Sequence, residues 1–163
     1  MISPERQYAE DAALILESMG MPRSSGKLLG WLLVCDPPQQ SSAELATALD
    51  LSAGSVSTGT RMLENARLIQ RVAVPGHRGK VYEMVADAMI RAVQDDRTRT
   101  MRELMERGLS VVGGEDAPRA ARLRRTRDFY AFFEREIPAL IKRFETDYGE
   151  GWQWLTWPST HKS

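Results

Sequence analysis

The chain has 163 residues and a mass of 18.4 kDa, about the size of one ordinary domain. Its 42% hydrophobic and 27% charged residues allow a packed core and exclude a disordered chain. Lys+Arg and Asp+Glu number 22 each, so the formal net charge is zero, which excludes a histone-like polycation and leaves room for a local basic patch.

Ser3-Pro4-Glu5 predicts a helix start, with Ser as N-cap, Pro at the first position and an acid against the positive end of the helix dipole. The apolar spacing Tyr8, Ala12, Ile15, Met19 carries that helix to Gly20. After Gly20-Met21-Pro22, Ser24-Ser25 is expected to cap a second helix, from about Gly26 to Cys35, apolar nearly all round and therefore buried. Its apolar run, Leu28 to Cys35, is interrupted by Gly30 and falls far short of the ~20 residues a membrane span needs. No membrane partner is expected. With no charged leader, greasy stretch and cleavage site at the start, the expected compartment is the cytoplasm. Cys35 is the one cysteine, which excludes an intramolecular disulfide and reads as a buried small hydrophobe.

Asp36-Pro37-Pro38 ends the second helix, and Ser41-Ser42-Ala43-Glu44 caps a third that carries Leu45, Ala46 and Leu49. Ser52 caps a fourth, running to about Ala66, with Val56, Thr60 and Leu63 inward and Ser55, Ser57, Thr58 and Arg61 on other faces. Leu68 to Val74 and Lys80 to Met84, the latter alternating outward and inward, flank the turn Pro75-Gly76-His77-Arg78-Gly79 and read as a hairpin. A polar helix from about Ala86 to Leu109 and a long one from about Ala117 to Tyr148 follow, separated by Gly113-Gly114. The last helix places Leu123, Tyr130, Phe133, Ile137, Leu140, Ile141 and Phe144 on one side, ahead of a tail with Trp152, Trp154 and Trp157. The expected fold is mainly α with a small β-hairpin.

Charge is segregated along this order. Residues 1–52 hold three basic side chains against seven acidic, net −4, whereas Ala53 to Tyr82 holds Arg61, Arg67, Arg71, Arg78 and Lys80 against Glu64 alone, net +4. The remainder is balanced. Two short helices joined by a tight turn form a helix-turn-helix, and a basic hairpin directly after them makes it winged. In that arrangement the second helix lies in the major groove. Small hydroxyls at Ser42, Ser52, Ser55, Ser57 and Thr58 suit close approach to phosphates and bases. Arg61 can reach a guanine edge or a phosphate. His77, Arg78 and Lys80 of the wing can lie along the backbone or enter the minor groove. The competing reading is a winged helix serving protein interaction or DNA architecture, with only weak, non-specific affinity.

Several of these residues also carry a resemblance. Gly20-Met21-Pro22-Arg23, Gly26, Gly30, Leu32-Leu33 before Asp36-Pro37-Pro38, Ser42-Ala43-Glu44-Leu45-Ala46, Leu51-Ser52, Gly54-Ser55-Val56-Ser57, Arg61-Met62-Leu63-Glu64 and Pro75-Gly76-His77-Arg78 resemble the GbsR-like branch of the MarR-type bacterial transcription regulators. The resemblance implies a homodimeric winged helix-turn-helix repressor or regulator that binds a roughly palindromic double-stranded operator and responds to a small-molecule effector. Its terminal helices would build the dimer. The expected division is 1–23 (dimerisation helix), 24–85 (DNA-binding domain) and 86–163 (dimerisation helices and tail). Ala66 departs from the pattern, standing where such relatives carry Gly near the end of the recognition helix. Dimerisation is also expected without the family, because long amphipathic helices flank the winged helix and their apolar faces need cover.

Trp152, Trp154 and Trp157 could form an aromatic cage for a quaternary ammonium effector, choline or glycine betaine chemistry being implied by some relatives. Docking of the tail on helices is the simpler role. The run Arg119, Arg122, Arg124, Arg125, Arg127 is read as a solvated or ion-paired face. His77 and His161 give no metal spacing, and no phosphate loop or nucleophile set is present. Neither enzymatic activity nor a cofactor is expected.

Overall fold

The computed structural model describes residues 2–92 and 97–148. The elements in chain order are α1 (Pro4–Ser18), α2 (Arg23–Val34), β1 (Gln40–Ser41), α3 (Ser42–Leu49), α4 (Ala53–Asn65), β2 (Ile69–Val72), β3 (Val81–Met84), α5 (Ala88–Arg91), α6 (Arg97–Val112) and α7 (Ala121–Tyr148). They fall into two compact units, one ending at Met89 and the other beginning at Ile90.

In the first unit α1 starts as its sequence dictates: the Ser3 hydroxyl accepts from the Arg6 N–H at 3.2 Å, and Pro4 occupies the first turn. It ends on Gly20, whose φ of 93° is the left-handed conformation that glycine adopts without Cβ strain. Its buried residues are Ala9 and Ala13, however, while Tyr8, Ile15 and Met19 face outward. The reason lies on α2. A Cβ at Gly30 would stand 2.7 Å from the Ala12 Cβ and 3.0 Å from the Ala9 Cα, and one at Gly26 would stand 2.9 Å from the Ala13 Cα. Small residues on both helices thus let the backbones approach; Leu16 packs against the core beside them, and Tyr8, Leu14, Ile15 and Met19 are left outside.

α2 begins earlier than its serines suggest. Pro22 stands at its N-cap, with the first helical bond running from the Gly26 N–H to the Pro22 carbonyl at 3.0 Å, and Ser25 is buried inside the helix. Leu28, Leu29 and Leu32 are fully buried, each worth about 1.5–3 kcal/mol of apolar burial. Leu33 and Val34 are exposed, so α2 is not buried all round. Cys35 is half-buried, with Sγ 3.9 Å from the Pro38 carbonyl oxygen. Burial pushes its thiol up to about 11, which leaves it unreactive.

The hairpin forms as expected, but the sheet has three strands in the order β1-β3-β2, all antiparallel, with Gln40 opposite Tyr82 and Arg71 opposite Tyr82 on the other side. A central strand has cover on both edges, and Val81 and Tyr82 are both buried instead of alternating. The strand β1 has too few residues for a periodicity. It is held by the buried Gln40 side chain, which donates to the Pro37 carbonyl at 2.7 Å and accepts from the Trp31 indole N–H at 3.2 Å.

The expected single helix over 86–109 is instead α5 and α6, and α6 runs to Val112 before Gly113 and Gly114, both at positive φ. α7 starts at Ala121, after a turn closed by the Ala120 N–H on the Ala117 carbonyl at 2.9 Å. In this second unit Arg102 of α6 bonds Glu134 of α7 at 2.6 Å and Glu106 at 2.8 Å. Only Leu109 and Ala120 are buried among its described residues, and α7 buries none: Phe129, Phe132, Leu140 and Tyr148 are each at least half exposed. Among the described residues no helix is long and apolar enough to cross a membrane.

The close approach of α1 and α2 gives a paired expectation. Gly30→Ala should cost about 1–3 kcal/mol in urea denaturation, because its Cβ meets backbone that cannot yield. Gly54→Ala meets nothing nearer than the Ser52 Oγ at 3.9 Å, and should be neutral or stabilise by up to about 1 kcal/mol through helix propensity.

Candidate nucleic-acid interface

α3 and α4 are each started by a serine. At α3 the cap is Ser41: its hydroxyl accepts from the Glu44 N–H at 3.2 Å, and the Glu44 carboxylate accepts from the Ser41 N–H at 2.6 Å, a reciprocal capping box. Ser42 is therefore the first residue inside the helix, and its N–H donates to the Lys80 carbonyl at 3.1 Å, tying α3 to the start of β3. At α4 the Ser52 hydroxyl accepts from the Ser55 N–H at 3.1 Å and donates to the Ser55 hydroxyl at 2.9 Å. These two hydroxyls serve the cap first.

The rest of α4 is two-faced. Val56, Gly59, Thr60 and Leu63 are buried, and a Cβ at Gly59 would fall 2.4 Å from the Leu28 Cδ1, so the helix lies hard against α2. Ser57, Thr58, Arg61 and Asn65 are exposed on the opposite side. Behind them the Thr60 hydroxyl donates to the Val56 carbonyl at 2.8 Å and shares a hydrogen bond with the buried Tyr82 hydroxyl at 3.3 Å. One turn on, Glu64 holds Arg71 of β2 in a two-point ion pair, Nε to Oε1 at 2.7 Å and Nη2 to Oε2 at 3.0 Å. The Glu64 carboxylate raises the Arg71 pKa further, so that side chain stays charged.

The wing turn is closed by the His77 N–H on the Val74 carbonyl at 3.0 Å, with Gly76 at φ 79°. His77, Arg78 and Lys80 are all exposed there. His77 lies close enough to Glu44 to help hold that carboxyl below its ordinary range, after the larger effects of the Ser41 hydroxyl and N–H.

The structure thus places Ser57, Thr58 and Arg61 together on one exposed stripe, and His77, Arg78 and Lys80 together on the wing. Ser42, Ser52 and Ser55 stand at the two helix starts. Two features escape sequence reasoning. Arg67 adopts φ 57° just past the end of α4, with its N–H on the Glu64 carbonyl at 2.9 Å and the Leu68 N–H on the Leu63 carbonyl at 3.0 Å. The left-handed position of this turn is Arg67, one residue beyond Ala66, which is ordinary right-handed backbone with no need of glycine. The second is the Glu64–Arg71 pair, which gives Arg71 an ion-pair partner within the fold. Arg61, Arg67, Arg78 and Lys80 remain, exposed and with no ion-pair partner among the described residues. Trp152, Trp154 and Trp157 lie outside the described residues.

Known proteins resemble this chain. A profile of the MmpR5-like MarR family of transcriptional regulators matches residues 83–147. The HTH-type transcriptional regulator MmpR5 of Mycobacterium tuberculosis is 40% identical over 147 residues, covering 88% of each chain. A crystal structure of a transcriptional regulator superposes with a TM-score of 0.77 at 38% identity, over 88% of this chain and 99% of that one.

The α3 cap yields a pH test. Glu44 titrates below its ordinary value of 4.5 in the folded chain. The stability it contributes is therefore complete above that value and is lost as pH falls through its lowered pKa. Glu44→Gln keeps an acceptor for the Ser41 N–H and removes the titration. Urea denaturation as a function of pH should show a small change at pH 7 and a shallower fall than wild type below pH 4.5.

Proposed function

Starting from the fact that the chain belongs to the MmpR5-like MarR family of transcriptional regulators, DNA-binding proteins of the winged-helix type, we propose that it acts as a cytoplasmic homodimeric repressor on a pseudo-palindromic operator. The observation that carries the reading is the two-faced α4: Ser57, Thr58 and Arg61 exposed, and Val56, Thr60 and Leu63 locked into the core behind them. A side chain reads a base edge only if its backbone is fixed, and this one is. In the major groove Arg61 would take a guanine edge, with Ser57 and Thr58 on bases or phosphates. Arg78 and Lys80 would take phosphates, with His77 at the wing tip. Ser42, Ser52 and Ser55 would contribute through the helix starts they occupy, near which phosphate is favoured.

Two copies would set two recognition helices about one DNA turn apart. Support for pairing comes from the uncovered apolar side chains of α7 and of α1, which a second copy can bury. Repression by occupancy and release by a small-molecule effector complete the reading. Both rest on the resemblance, as does the finer placement in the GbsR-like branch. The tail tryptophans remain the candidates for the effector, by cation–π attraction.

Substitution separates base reading from phosphate contact. Arg61→Ala should weaken operator binding by about 1–3 kcal/mol and relax preference at one position of each half-site. Lys80→Ala should weaken operator and scrambled DNA alike and make the salt dependence shallower by about one unit of slope for each phosphate it no longer neutralises. The measurement is fluorescence anisotropy across a salt series, and wild type should favour operator over scrambled duplex by ~10³-fold or more. A wild-type ratio near one would instead identify an architectural or protein-binding winged helix.

A further inference from the structure

Thr60 and Glu64 are one turn apart on α4, and Arg71 and Tyr82 are directly opposed across β2 and β3. Directly opposed residues project from the same face of a sheet. Two rungs therefore run from one side of the helix to one face of the wing: the buried Thr60–Tyr82 hydroxyl pair at 3.3 Å and the bidentate Glu64–Arg71 pair at 2.7 and 3.0 Å. A single rung would leave the helix free to pivot about it, whereas two separated along the helix axis fix the angle.

On the reading of α4 and the wing as the DNA-contacting surface, we infer that these rungs brace the recognition helix against the wing, and that Glu64 withholds Arg71 from phosphate so that binding discriminates between sequences. Arg71 is half exposed and within the basic segment, so a charge count assigns it to DNA. The Nε–Nη2 edge of its guanidinium is already engaged by a carboxylate in a bidentate geometry. Moving it to a phosphate would leave the Glu64 carboxylate, only 22% exposed, without its cation beside an incoming polyanion. A free arginine there would also strengthen binding to every duplex equally, since phosphate contacts carry no sequence. Arg71 and Glu64 are thus positioning residues. They set the spacing at which Arg61 meets a base while the wing meets backbone.

The test uses the full chain and two probes: a duplex that wild type enriches from a randomised library, and the same duplex with its half-sites scrambled. Arg71→Gln should leave scrambled-duplex affinity and its salt slope unchanged, and lower the enriched-to-scrambled ratio at least about fivefold, the lower end of ordinary coupling between sites. Glu64→Gln should lower the ratio likewise. It should also steepen the slope by roughly 0.9 per protomer as the released Arg71 finds a phosphate. Tyr82→Phe, which removes the other rung without touching charge, should lower the ratio at constant slope. Arg71→Lys keeps the charge and loses the fork, and should lower the ratio even if the neutral variant folds poorly. An Arg71→Gln protein whose slope is shallower on both probes would show that Arg71 already touches phosphate, and overturn the inference. So would ratios unchanged in folded Arg71→Gln and Glu64→Gln. If wild type enriches no sequence, the DNA-contact reading itself fails and the brace falls with it, a result distinct from both.

Discussion

The close approach that Gly26, Gly30 and Gly59 permit around α2 is the constraint on which the first unit depends. On one side α2 meets the backbone of α1 at Ala9 and Ala13; on the other its Leu28 fills the space where Gly59 of α4 has no side chain. At such separations a single methyl group meets main-chain atoms or a fully buried leucine, and a core packed to crystal-like density has no slack to absorb it. α4 is thereby fixed in depth as well as in direction. The exposed stripe on its far side inherits that precision, which is what a base-reading surface needs from its scaffold.

Hydrogen bonding extends the same fixation to the wing. The buried polar side chains are used as ties: Gln40 holds the edge strand to the chain after α2, and Thr60 meets Tyr82 of the central strand. No buried side-chain polar atom among the described residues lacks a partner, so these groups add specificity of arrangement without an unpaired desolvation cost. An isolated two-stranded hairpin is marginal in water. Here β1 supplies a third strand and α4 a backing, and the exposed wing turn is carried on strands anchored to both.

Much of this was legible from residue types. Caps at Ser3 and Ser52, the inward set Val56, Thr60, Leu63 and the hairpin follow from local chemistry that tertiary structure then leaves alone. The departures share a different cause, namely partners distant in sequence. Ser24-Ser25 has the right composition for a cap, yet Pro22 starts α2 and Ser25 is needed small and buried near Gly59. The apolar spacing in α1 is real, but the face that packs is the one small enough to meet two glycines. β1 exists only because β3 offers it an edge. Of the site, the stripe and the wing turn could be found from periodicity and charge. The Glu64–Arg71 pair could not, because a tally of charges records how many there are and not which of them are already spoken for.

That distinction changes what zero net charge means. The segment from Ala53 to Tyr82 keeps its net of +4, but if Glu64 withholds Arg71 as inferred above, the cations left for a polyanion would be Arg61, Arg67, Arg78 and Lys80. If each neutralised one phosphate, the salt slope of one protomer would be roughly −3.6, the signature of a weak binder at physiological ionic strength. Useful affinity must then come either from base contacts that only the right sequence supplies, or from joining two such patches so that the second binds at high effective concentration. The two routes reinforce each other, since a fixed pair of patches is selective for half-site spacing as well as for sequence. In the proposed homodimer the uncovered apolar side chains of α1 and α7 would supply the physical means of joining, and the small size of the basic patch would give joining its advantage.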